Sequence, residues 1–215
     1  MTPVRVTFTM RTPMVIPYAD KHLDALLSWA AVQKAEFGGH EDPWLVQHDI
    51  GVQRHVVGTQ WCFQASLLNF DWLGERSQLH YIKSSKLEDF ADAQMDGLLD
   101  RRPFFDGRRG STKAGSYLAP IRWAKAVTGY AIVEDMARFQ GLLPWVTHIG
   151  KLRHKDWGAV ASFVIAEDTE ADVLWRRRNL PVASPFASEH APAAAGLVSP
   201  YWKRENHTDV LVYVG

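Results

Sequence analysis

The chain has 215 residues, 47% of them apolar and 12% aromatic, with 24 Lys plus Arg balanced by 24 Asp plus Glu. That length and apolar fraction support one substantial core and exclude disorder for the body of the chain. A formal net charge of zero leaves the case for a polyanion partner to the distribution of charge along the sequence.

The lone Cys62 can form no internal disulfide, which fits a reducing cytoplasm. The start, MTPVRVTFTM, lacks a basic region followed by a long apolar run, so no secretory signal is read there. No stretch approaches the ~18 uninterrupted apolar residues of a membrane helix. A cytoplasmic protein is expected.

Residues 4–10 alternate Val4, Val6, Phe8 and Met10 with Arg5, Thr7 and Thr9, the period of a half-buried strand. Pro13 and Pro17 interrupt it. Asp20 is then a candidate N-cap for a helix over about 21–37, whose Leu23, Leu26, Leu27, Ala30 and Ala31 share a face and which Gly38-Gly39 stops. Residues 55–71 are rich in β-formers and read as a strand or a hairpin arm, continued by 78–85. Residues 86–100, with one Lys and five acids, read as a solvated acidic turn or short helix. Residues 101–125 are the opposite: seven Arg or Lys and one Asp, with Gly107, Gly110 and Gly115 and interleaved aromatics. Strand character returns at 126–134. Glu134 and Asp135 open a short helix with Met136, Phe139, Leu142 and Leu143 on its apolar face, and Pro144 ends it. The segment HIGKLRHKDWGAV (148–160) leads into a strand at 159–167. Residues 181–200, rich in Pro, Ala and Ser, read as a loop, and 209–214 as a last strand.

This order predicts one α+β domain of ferredoxin-like (RRM-like) form, an antiparallel sheet covered on one side by two helices. Residues 86–125 form an insertion in it, and 181–215 a C-terminal loop and strand. Nucleic acid often lies against such sheets.

Two segments have the chemistry of a phosphate site. In the first, Gly150 and Gly158 bracket Lys151, Arg153, His154 and Lys155, with Trp157 alongside. Glycine lets backbone N–H groups approach an anion, cations neutralise phosphates, and an indole stacks on a base. In the second, Arg101, Arg102, Arg108, Arg109, Lys113, Arg122 and Lys125 bring residues 101–125 to +6. Residues 151–178 add +1, leaving −7 for the rest of the chain. Phe104, Phe105, Tyr117 and Trp123 are stacking candidates. On composition alone, solvated arginines, a plain basic turn and core aromatics remain the alternative.

Other patterns point less far. GRRGSTKAG (107–115) departs from a nucleotide-binding P-loop, because its Lys follows Ser-Thr and no second Gly precedes it. WRRR (175–178) follows the acidic EDTEAD and reads either as an RNA-backbone contact or as a surface knot paired with those acids. The pairs His48/His55 and His148/His154 have no Cys or carboxylate at tight ligand spacing, so neither a metal nor a cofactor is expected. Asp20 is explained as a cap and Asp24 by solvent, so the Asp20–His22–Asp24 cluster carries no chemistry. A metal-independent ribonuclease would draw on His22, His55, His148 or His154 with Tyr18, Tyr81 or Lys113, but nothing in their spacing assembles them.

Helix, proline, then Ile149-Gly150-Lys151-Leu152-Arg153 and Trp157-Gly158 before a strand resembles the glycine-rich loop of the CRISPR-associated RAMP superfamily. The segments TPMVIPYADKHLDALLSWA and SPYWKREN further resemble the small subunit of type IV CRISPR effector complexes, of the Cas-five-type group that holds the crRNA 5′ handle. The resemblance implies a ferredoxin-like domain carrying a basic β-hairpin thumb, part of it in 101–125. It implies a non-catalytic subunit that clamps the handle and caps a filament of backbone RAMP subunits. It also implies contact with the large subunit, through surfaces including WRRR and YWKREN, near the end that recognises target DNA. The alternatives are an endoribonuclease that matures the same RNA and a protein-only scaffold.

Overall fold

The computed structural model describes residues 1–16, 21–83, 115–201 and 203–215. The chain divides into two compact units, Met1–Glu75 with Arg122–Gly215, and Arg76–Ile121. In the larger unit the first strand, β1 (Thr2–Met10), follows its alternation: Val4, Val6 and Phe8 are fully buried. It is followed by β2 (Met14–Val15), then α1 (Leu23–Phe37). The β-rich stretch resolves into a tight hairpin, β3 (Arg54–Val57) and β4 (Gln60–Phe63), ahead of β5 (Asn69–Lys83). Next come β6 (Gly115–Val133), α2 (Met136–Leu142) and β7 (Val160–Glu167).

β1 lies antiparallel between β6 and β7, with Val6 opposite Gly129 on one side and Ile165 on the other. β5 and β2 also pair with β6. The strand order β7-β1-β6-β5 interleaves two β-α-β halves, each with its helix. The molecule is therefore α+β with antiparallel sheets, an arrangement compatible with a ferredoxin-like fold. Val4, Val6 and Phe8 share one core with Leu23, Leu27, Ala30 and Ala31 of α1 and Phe139 and Leu142 of α2. Each of the Val, Leu and Phe side chains contributes roughly 1.5–3 kcal/mol on burial, and the alanines less. No helix among the described residues is long and apolar enough to cross a membrane.

Three expectations change. First, α1 begins later, at Leu23, with His22 as its N-cap and no side-chain capping bond; Asp20 lies outside the described residues. α2 does have the acidic cap its sequence advertises, the Asp135 carboxylate accepting from the Arg138 amide at 3.0 Å. Second, the Pro/Ala/Ser-rich 181–200 is not simply a loop. It contains β9 (His190–Gly196), which with β8 (Leu180–Pro181) flanks β10 (His207–Tyr213) in a three-stranded sheet. Alanine has little strand preference, but pairing along all of β10 overrides it. A short helix, α3 (Ala171–Leu174), and this sheet enclose a second core of Cys62, Ile132, Ala171, Trp175, Leu180, Leu197 and Val210. Third, the end of the basic insertion, Gly115–Lys125, is part of the long strand β6. Residues 84–114, and with them Arg101, Arg102, Arg108, Arg109, Lys113 and most of the expected thumb, lie outside the described residues.

Candidate nucleic-acid interface

The loop between α2 and β7 is a built object rather than a slack turn. Three backbone bonds strap it to the segment after β1: the Lys151 amide donates to Val15 O (2.8 Å), Gly158 to Pro13 O (2.8 Å) and Arg11 to Ala159 O (2.7 Å). Within the loop, Ile149 N–H donates to Gly158 O at 2.8 Å. The Thr12 hydroxyl donates to Asp156 O (2.6 Å) and accepts from the Ala159 amide (2.8 Å). Gly150 and Gly158 sit at φ +110° and +75°. A Cβ on Gly158 would lie 1.9 Å from Ile149 O, so glycine is required there for space as well as for backbone angle.

Both glycine amides were expected to face phosphate; the Gly158 amide is instead occupied by Pro13 O. The loop's unengaged donors are others. Leu152 is left-handed (φ 57°, ψ 34°) and is followed by a 3-10 turn, Arg153–Lys155, whose first internal bond is Lys155 N–H to Leu152 O. The amides of Gly150, Leu152, Arg153 and His154 therefore take no acceptor among the described residues. A left-handed residue leading into a tight turn converges successive N–H groups into a concavity suited to an anion.

That concavity is real. Thr147, His148, Gly150, Lys151, Leu152, Arg153 and His154 line a hollow of about 610 Å³ with Trp29 and Gln33 of α1. Lys151, His154 and Lys155 are exposed, and Trp157 is half-buried. The Arg153 guanidinium lies 4.7 Å from the centre of the Trp29 ring, and partial burial lowers its pKa from the ordinary value. The one acid in the loop, Asp156, is answered by Arg11 (3.0 Å) and by His148 Nε2 (3.2 Å), and the His148 bond leads in holding its pKa below the usual carboxylate range. Arg11 and Thr12, which anchor the loop from β1's end, carry no signal in the sequence reading. Arg122 is elsewhere, on β6, its guanidinium 4.8 Å from the Trp72 ring centre and its Nε donating to Gly74 O.

Asp24, and Trp175 and Arg178 of WRRR, lie inside the protein rather than at the surface where they were expected. Trp175 is buried and Arg178 fully so. All five Arg178 N–H donors are used: Nη1 to Phe63 O (2.6 Å) and Ala65 O (3.1 Å), Nη2 to Leu197 O (2.6 Å) and the Tyr201 hydroxyl (2.8 Å), Nε to Asn179 O (3.0 Å). Asp24, also fully buried rather than solvated, pairs with Arg178 at 3.4 Å and accepts from the Tyr201 hydroxyl at 2.6 Å. Burial raises the Asp24 pKa, with Arg178 and Tyr201 opposing it. Burial alone would lower the Arg178 pKa, but Asp24 and Tyr201 outweigh it and hold the value above the ordinary one. WRRR is thus in part a structural knot joining α1, the segment after β4 and the C-terminal region.

No curated protein matches the chain. A family model does, across residues 2–213, and its description is CRISPR type IV associated protein Csf3. With a match over nearly its whole length, the chain belongs to the Csf3 family of CRISPR type IV associated proteins.

Proposed function

We propose that this chain is a non-catalytic, ferredoxin-like RAMP subunit that clamps the 5′ handle of the crRNA and caps the backbone filament of a type IV CRISPR effector complex. The observation that carries this reading is the loop at 148–158: backbone donors at Gly150, Leu152, Arg153 and His154 with no acceptor among the described residues, in a turn bonded to the Arg11–Val15 strap and flanked by Lys151, Arg153 and Lys155. Phosphates bound there exchange solvent for preorganised N–H groups and cations, so affinity comes chiefly from neutralisation and position. The cation-rich 101–113 and Arg122 are further contacts for RNA or for the neighbouring backbone subunit. The exposed Trp123 and Leu118, each about half accessible, suit protein contacts. The subunit also contacts the large subunit, near the end of the complex that recognises target DNA.

Incubating the purified chain with repeat RNA in EDTA tests this. Retention that weakens steeply with salt, without cleavage, is the expected result. Specific cleavage would make the chain a metal-independent endoribonuclease instead, and no retention at low salt would favour a protein-only scaffold.

A further inference from the structure

Arg178 is consumed inside the protein, but its neighbours Arg176 and Arg177 are not. Among the described residues no carboxylate pairs with either; Asp168, close by in sequence, pairs with Arg5 instead. Arg176 is half-buried and Arg177 exposed. Both line a hollow of about 360 Å³ whose apolar lining is Val173, Leu174, Pro185 and Phe186. Val173 is 58% exposed, so this surface is open. The hollow is built on fixed parts. Phe186 stands edge-on to Trp175 (5.8 Å between centroids, 86° apart), and the Arg176 guanidinium lies 3.9 Å from the Phe186 ring centre. The backbone of the arginine run is clamped from both sides. His190 Nε2 lies 3.1 Å from Arg176 O and 3.0 Å from Arg178 O, and the Leu67 amide donates to Arg177 O at 2.7 Å. Both His190 partners are carbonyls, so Nε2 carries the hydrogen and donates to them. The backbone that carries the two guanidiniums thus needs no further ordering when it binds.

We infer that this hollow docks an acidic segment of another protein: an Asp or Glu carboxylate meets Arg176 and Arg177, and an adjacent Leu- or Phe-sized side chain covers Val173 and Leu174. A guanidinium fork matches a carboxylate in two parallel bonds. Arginine beside an apolar pocket is also the composition of the strongest points of protein interfaces. A nucleic-acid strand matches the charge of the two arginines but not the rest of the site. Glu189 is in the lining, and Glu170 and Asp172 are exposed just before the arginines in sequence. These acids repel a run of phosphates, whereas a single carboxylate seated between two guanidiniums is held. The Phe186 ring is covered by Arg176 and flanked by Trp175 and His55, so it is no free platform for a base. The hollow shares no residue with the basic concavity at 148–158, so its occupant is independent of the RNA reading.

The test selects a displayed library of random heptapeptides on the full chain, with Arg177→Glu as the counter-selecting bait. Arg177 is exposed, so the reversal leaves the fold intact, which equal melting temperatures check. The recovered peptides should carry Asp or Glu next to Leu, Ile, Met or Phe. A synthetic peptide of their consensus should bind the parent about tenfold more tightly than Arg177→Glu. Val173→Glu, which sets a carboxylate on the open apolar lining, should weaken it by a similar factor. Arg176→Lys/Arg177→Lys, which keeps the charge but loses the forks, should fall between. The loop variant Lys151→Ala/Arg153→Ala/Lys155→Ala should bind the peptide like the parent. No enrichment over the counter-selecting bait, recovered peptides without an acid, or binding that follows the loop variant instead would each overturn the inference. So would a repeat-RNA salt slope shallower by about 0.7 in Arg177→Ala, because the arginine would then be a phosphate contact. If the peptide arm fails while the loop variant still weakens RNA binding, the handle reading stands without this site.

Discussion

KLRHK at 151–155 and WRRR at 175–178 look alike on paper, each a short basic run, yet they have opposite fates. The first lies on a strapped turn, its cations at the surface and four of its neighbourhood's amides without an acceptor among the described residues. The second turns its last arginine inward, where five protein oxygens absorb every donor and Asp24 balances the charge. Charge density alone does not mark a polyanion site. What matters is whether the surrounding fold has already supplied the acceptors.

The largest effect should come from breaking the inward run. Arg178→Met leaves Asp24 buried without its cation, which should cost about 3–5 kcal/mol in urea unfolding. Adding Asp24→Asn should restore part of that. Removing the three loop cations should shift unfolding by no more than ~0.5 kcal/mol, as for ordinary surface changes. Equal losses from both would erase the distinction.

Gly158→Ala comes next. It puts a Cβ against Ile149 O in a left-handed conformation, at an expected cost of about 1–3 kcal/mol, read as a lowered melting temperature. RNA affinity should fall with it, because the same bonds hold the turn. A stable variant with unchanged affinity would show that the strap does not set the loop.

Acid should discriminate the two regions by a smaller amount. His22 is neutral in the folded state, whereas the unfolded chain takes up a proton at about 6.5. Below that pH the unfolded state binds more protons, so stability declines as pH falls, by up to about 1.4 kcal/mol per unit until the depressed folded pKa is reached. Above 6.5 this contribution is fully present and flat. His22→Phe, which keeps a ring against Tyr201, should remove that slope from pH-dependent unfolding curves. An identical slope in both proteins would assign it to other groups.

The smallest effect is Arg153→Lys. It keeps the charge but gives up the guanidinium contact with the Trp29 ring, so the salt dependence of RNA binding should hold while affinity drops by ~0.5–1 kcal/mol. A changed salt dependence would mean the guanidinium does more than neutralise.

The sequence was informative where a local period or a local chemistry decides structure. The alternation of β1, the apolar faces of both helices, the Asp135 cap and the two glycines of the loop were readable because each depends on neighbours in the chain. The Arg178 knot was not, because a buried arginine is recognisable only by its acceptors, and those come from Phe63, Ala65, Leu197 and Tyr201. Asp24 was misread for the same reason: beside Leu23 and one turn from Ser28 it looks like a solvated helix edge, until the C-terminal region closes over it. β9 was missed because its strand character comes from β10 rather than from its own alanines. The loop's strap was missed too, since Thr12 and Arg11 act from over a hundred residues away in sequence.

The most direct measurement is the salt dependence of crRNA binding by the parent chain and by Lys151→Ala/Arg153→Ala/Lys155→Ala, with unfolding curves recorded in parallel. For single-stranded RNA each lost phosphate contact lowers the log–log slope by about 0.7, so the variant should bind more weakly, with a slope shallower by about 2, and unfold like the parent. An unchanged slope and affinity in a fully folded variant would contradict the placement of the RNA on this turn.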